Sequence, residues 1–127
     1  MGNKKRITKN IGYISEEILI KYSLFEYKDI PIIQSLDFYS HIQKHIADFN
    51  DVNIFNEIAT NLDKIIQNPI VVYYEKNKNS LLYYGKLKTY VCVVVKLSKT
   101  KEHYVATMYP INENKLTKMK EKSYILN

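Results

Sequence analysis

The stretch IVVYYEKNKNSLLYYGKLKTYVCVVVKL, residues 70–97, decides the fold. It opens just after Pro69, and from there the apolar pattern stops repeating every three or four residues and becomes strand-like. IVVYYEK (70–76) predicts a strand, NKNS (77–80) a turn, and LLYYGKL (81–87) the return strand. YVCVVVKL (90–97) predicts a third strand, SKTKEH (98–103) a turn, and YVATMYPI (104–111) a fourth. β-Branched residues and tyrosine dominate these runs, and 8 of the 12 tyrosines follow residue 69. Short polar connections make an antiparallel meander the natural pairing. VCVVVKL is apolar on both faces and is expected at the centre, with helices covering one side.

Outward toward the N-terminus the period is helical. In IFNEIATNLDKIIQ (54–67) the residues Ile54, Phe55, Ile58, Leu62, Ile65 and Ile66 line one face, and Asn68–Pro69 ends the helix. SLDFYSHIQKHIADF (35–49) has the same spacing through Leu36, Tyr39, Ile42, Ile46 and Phe49. Further back, YKDIPIIQS (27–35) suits an edge or short strand because Pro31 cannot donate to a ladder. Ser15 before EEILIKY marks the start of a short helix. NENKLTKMKEKSYILN (112–127) predicts a lysine-rich helix or tail. The expected class is therefore α+β, one domain over 1–127, with N-terminal helices packed on a four-stranded antiparallel sheet.

Composition narrows the function classes. At 46% hydrophobic residues, with 3 glycines and 3 prolines, the chain is globular rather than low-complexity. No apolar run is long enough to span a bilayer, and the basic start lacks a signal-peptide core. Cys92 is the only cysteine, so an internal disulfide is impossible and a reducing, cytoplasmic setting is expected. The charge is uneven. Residues 1–68 carry 8 Lys/Arg against 9 Asp/Glu, whereas residues 69–127 carry 11 lysines against 4 acids. The second half thus carries +7 against −1 in the first, which favours an anionic partner, with nucleic acid ahead of an acidic protein or a membrane surface.

Three places carry candidate chemistry. On the 35–49 helix, His41 and His45 stand four apart on one face, with Lys44 beside the second. They can be solvated, form half of a metal site, or serve as acid, base or phosphate contacts. A metal site lacks partners, since there is no second cysteine and no HExxH glutamate. On the last strand, Thr107 and Tyr109 share a face and present two hydroxyls, while Tyr104, Ala106 and Met108 are expected on the other. On the preceding strands Tyr84, Lys86 and Lys96 add a ring and two cations, a combination that can hold a phosphodiester and stack a base. His103, in a lysine-rich turn, is expected to be exposed and without a chemical role. No flavin, nucleotide or haem motif is visible, and no cofactor is expected.

HIQKH (41–45), then IIQNPIVVYYEKNKNSLLYYGKL (65–87), VCVVVKL and HYVATMYP, in this order, resemble the barnase–EndoU–colicin–RelE-like (BECR-fold) nucleases associated with phage and mobile elements. The resemblance covers about residues 38–112. It implies a metal-independent, toxin-like ribonuclease with its active site on the concave face of a four-stranded sheet. His41 and His45 match the helix pair, Lys96 the central-strand lysine, and Thr107 and Tyr109 the last strand. RNA is the implied substrate, cleaved by attack of its own 2′-hydroxyl, with Lys44, Tyr84 and Lys86 as RNA contacts and an acidic inhibitor or immunity protein as a further partner. A non-catalytic RNA-binding module, or an interaction domain for an acidic protein, would use the same basic half without the histidines.

Overall fold

Every expected hairpin of the C-terminal half forms. The computed structural model describes residues 8–35, 48–49 and 51–125, with side chains up to Ser123. Strands β3 (Val71–Glu75), β4 (Ser80–Leu87), β5 (Thr89–Lys96) and β6 (His103–Pro110) pair antiparallel in sequence order. Asn79 fastens the β3–β4 turn. It takes the left-handed conformation at φ 47°, its amide nitrogen donates to the Leu97 carbonyl, and its Oδ1 accepts from the hydroxyls of Tyr27 and Tyr74. Asparagine tolerates this backbone region better than most residues, and here its side chain also closes the end of the sheet.

The sheet is wider than the expected four strands. β1 (Thr8–Tyr13) and β2 (Pro31–Ser35) pair antiparallel, and β2 then joins β6 in parallel through Ile32↔His103 and Ile33↔Tyr104. The order is β1-β2-β6-β5-β4-β3, a six-stranded mixed sheet with β5 and β6 at its middle. PIIQS is therefore an interior strand rather than an edge. Pro31 is tolerated because it occupies the first position, where a missing donor costs least.

Helix α1 (Glu16–Tyr22) lies between β1 and β2, capped by Ser15 Oγ, which accepts from the Ile18 N–H at 3.3 Å. Its first-turn Glu16 and Glu17 complement the helix dipole. The expected continuous helix over 54–67 is two helices, α2 (Val52–Ala59) and α3 (Leu62–Gln67). The break has a local cause. Thr60 Oγ1 donates to the Asn56 carbonyl at 2.9 Å and the Asn61 amide donates to the Glu57 carbonyl at 2.7 Å. The second bond takes the carbonyl that the Asn61 N–H would use in a continuing helix, and that N–H turns instead to the Ile58 carbonyl at 3.0 Å. The C-terminal segment is helical as α4 (Glu113–Ile125). The expected helix over 35–49 lies mostly outside the described residues; of that range only Ser35, the end of β2, and Asp48–Phe49 are described.

The sheet has two covered faces. On the first, α1, α2 and α3 pack Leu19, Phe55, Ile58, Leu62 and Ile65 against Leu81, Tyr83, Val91, Val93, Val95 and Met108, all buried. The approach is close at Gly85, where a Cβ would stand 3.0 Å from Cγ2 of Ile65. On the second face α4 sets Leu116 and Met119 on Leu82, Tyr84 and Cys92. Helices on one side only was the expectation. The apolar outward row of β4 and β5 required a cover that the lysine-rich composition of α4 concealed.

Candidate nucleic-acid interface on the second sheet face

Residues paired across a ladder project to one side, so the register fixes what the second face presents. One row runs Asn10, Ile33, Tyr104, Lys96, Ser80, Glu75. The next contains Thr107, Val94, Leu82 and Tyr73, and a third contains Tyr109, Cys92, Tyr84 and Val71. Lys96, Thr107, Tyr109, Tyr84 and Lys86 thus all belong to this face, although they are not all together. Lys86 pairs with Tyr90, near the far end of β4, whereas Lys96 pairs with Ser80 at its start. Six residues along a strand span about 20 Å, so the two lysines cannot hold one phosphate.

The Lys96 end is open. Lys96 Nζ donates to the Lys78 carbonyl at 3.2 Å, which fixes its reach beside the row but leaves donor capacity on the ammonium. Thr107, one row away, has a buried Oγ1 with no hydrogen-bond partner among the described residues. Tyr104, directly across from Lys96, is 48% exposed. Simple alternation had placed Tyr104 opposite to Thr107 and Tyr109. The structure corrects this, because a bulge between Val94 and Val95 lets Ala106 drop out of the two-residue count. Tyr104, Thr107 and Tyr109 consequently share one face, while Val105 and Met108 share the other. The burial of Val105 and Met108, three apart in one strand, cannot satisfy a strict period of two and follows from the bulge.

The middle of the face is closed by α4. Tyr84 is 1% exposed, so its ring packs in a core and is not presented to a base as expected. Cys92 is flanked across the ladder by Tyr84 on one side and Tyr109 on the other. Burial pushes the Cys92 thiol up to about 11, so it stays protonated at neutral pH and is no nucleophile. Burial likewise raises both phenols, keeping Tyr109 a neutral donor. At the far end Lys86 Nζ stands 5.0 Å from the Tyr90 ring centroid, and from α4 Lys122 Nζ stands 5.9 Å from that of Tyr73, so cations and rings interleave along the helix flanks.

His103 contradicts its expected exposure. It is fully buried, its Nδ1 accepting from the Ser98 N–H at 3.0 Å and its Nε2 lying 3.2 Å from the Tyr27 carbonyl. That pair of contacts selects the neutral tautomer with the proton on Nε2, and burial lowers its pKa. Its role is to join β6 to the turn before β2. His41, Lys44 and His45 lie outside the described residues. Among the described residues no cluster of three or more His, Cys, Asp or Glu could hold a metal ion, and no helix is long and apolar enough to cross a membrane.

A family model described as phage-Barnase-EndoU-ColicinE5/D-RelE like nuclease3 matches residues 9–118. No curated protein and no solved structure matches the chain. The family match takes in five strands whole, β1 from its second residue, and the first half of α4, hence the whole of the Lys96 row.

Proposed function

The chain belongs to the phage-Barnase-EndoU-ColicinE5/D-RelE like nuclease family, and from that footing we propose that it is a metal-independent endoribonuclease working on the open end of the second sheet face. The observation that carries this reading is the register that sets Lys96, Tyr104 and Thr107 side by side on neighbouring strands. A phosphodiester on this surface meets an ammonium and an exposed ring, and one row behind them lies the buried Thr107 hydroxyl, which has no hydrogen-bond partner among the described residues.

In this mechanism the substrate's 2′-hydroxyl attacks the adjacent phosphorus and the 5′-oxygen departs, leaving a 2′,3′-cyclic phosphate. The protein supplies a base for the 2′-proton, an acid for the leaving oxygen and a cation for the charge gathering on the non-bridging oxygens. His41 and His45 take the proton-transfer roles, since imidazole titrates near neutral pH. Lys96 stabilises the pentacoordinate phosphorus by charge and hydrogen bonding. Thr107 and Tyr109 add neutral donors, and Lys44 contacts the backbone. Tyr104 replaces Tyr84 as the stacking ring, and Lys86 serves a phosphate several nucleotides away. The +7 charge of residues 69–127 supports RNA capture at low salt and would equally attract an acidic inhibitor protein.

The test is cleavage of labelled RNA by purified protein in EDTA, beside the same sequence as DNA and beside His45→Ala. RNA should be cut without added metal, DNA should survive for want of the 2′-hydroxyl, and His45→Ala should lose about 10²–10⁴ in rate. Salt-dependent RNA binding with no product would instead establish a binding module.

A further inference from the structure

Away from the second face, a cavity of about 500 Å³ opens at the β3 edge of the sheet, between α1, the loop joining α3 to β3, and α4. Its size falls in the range of small-molecule sites, and its lining mixes charged and amide side chains with apolar ones. Tyr83 is among the lining residues and is 2% exposed, yet its hydroxyl has no hydrogen-bond partner among the described residues. A phenylalanine would fill the same volume without stranding an oxygen, so the hydroxyl is a cost to the fold. Gln67 and Asn68 bring two side-chain amides from the loop, and Lys21 and Lys120 bring two ammonium groups against the single carboxylate of Glu17. Lys21 Nζ donates to Ser123 Oγ, which ties α1 to α4 across the opening.

We propose that this cavity is a separate binding site for a nucleoside monophosphate. The excess positive charge of Lys21 and Lys120 suits the phosphate. A phosphate offers mainly acceptors, with only a P–OH or two to donate, and serves the amide oxygens of Gln67 and Asn68 poorly, whereas a nucleobase edge presents donors and acceptors together. The wall at Ile70, 43% exposed, gives the flat face of a base an apolar surface. The Tyr83 phenol, kept neutral by burial, can both donate and accept.

Calorimetric titration of the full chain with 5′-AMP, 5′-UMP and inorganic phosphate tests the site directly. At least one nucleotide should bind more tightly than phosphate. Tyr83→Phe should weaken that nucleotide about tenfold while leaving thermal stability equal or higher. Lys120→Gln, on an exposed helix face, should weaken it about threefold, and Lys96→Ala should leave it unchanged. Absence of nucleotide binding, phosphate binding as tightly as nucleotide with Tyr83→Phe indifferent, or loss of binding in Lys96→Ala would each overturn the proposal. The outcome is independent of cleavage, because a chain that binds nucleotide here without cutting RNA keeps the site and a chain that cuts RNA without binding loses it.

Discussion

The two faces of the sheet are built from the same strands and do opposite things. On the first, three helices bury Ile58, Ala59, Leu62, Val91, Val93, Val95 and Met108 to the point of full exclusion from solvent. On the second, one helix closes over Leu82, Tyr84 and Cys92, and beyond it Lys96 is partly exposed and Tyr104 exposed, while Ser80 and Ile33 of the same row are buried. Successive residues of one strand feed both. Val95 is completely buried while Lys96 lies in the open row. A half-buried β-sheet therefore separates stability from chemistry by residue parity, and substitutions one position apart should differ in kind.

The largest effect should come from the packed face. Leu62→Ala removes a fully buried side chain and should cost about 2–5 kcal/mol by chemical denaturation, whereas Tyr104→Ala on the open face should stay within about 0.5 kcal/mol. A comparable loss for both would erase the distinction. Gly85→Ala comes next, at about 1–3 kcal/mol, since its methyl would meet Ile65 at 3.0 Å. In a double-mutant cycle, Ile65→Ala, which removes the Cγ1 and Cγ2 atoms the methyl would meet, should cancel part of that loss and so locate the strain.

The contrast sharpens again in RNA affinity. Tyr104→Ala should weaken binding of single-stranded RNA by about 1–3 kcal/mol, and Tyr84→Phe, beneath α4, should leave it alone. Fluorescence anisotropy at fixed salt measures both. A smaller, pH-dependent effect concerns His103. Its pKa is lowered in the fold, so below the unfolded-state value of about 6.5 the unfolded chain takes up the proton first. The stability it contributes is complete above that pH and declines as the pH falls. His103→Gln should flatten this part of the stability–pH curve relative to wild type, and parallel curves would refute it.

Much of this arrangement is legible in the residues. The meander is, because each β-branched run is bounded by its own turn, and the shared face of Thr107 and Tyr109 follows from their spacing. Three features are not. The β1–β2 pair joins β6 through only two parallel register pairs between segments some seventy residues apart, and nothing local in TKNIGY announces it. Tyr104 is misplaced by alternation because the bulge depends on how β5 and β6 meet. Tyr84 loses its expected role because α4, polar on most of its surface, still carries Leu116 and Met119 onto the sheet. His103 shows that a histidine among lysines can be a buried bracket when a carbonyl and an amide await it.

The central claim is that the open row around Lys96 is the reacting surface, and cleavage of labelled RNA in EDTA by Lys96→Ala, matched to wild type in thermal stability, measures it most directly. A fall of about 10²–10³ in rate with the folded state intact is the predicted result. Undiminished cleavage by that variant, or cleavage by the wild-type chain only when a divalent ion is supplied, would contradict it.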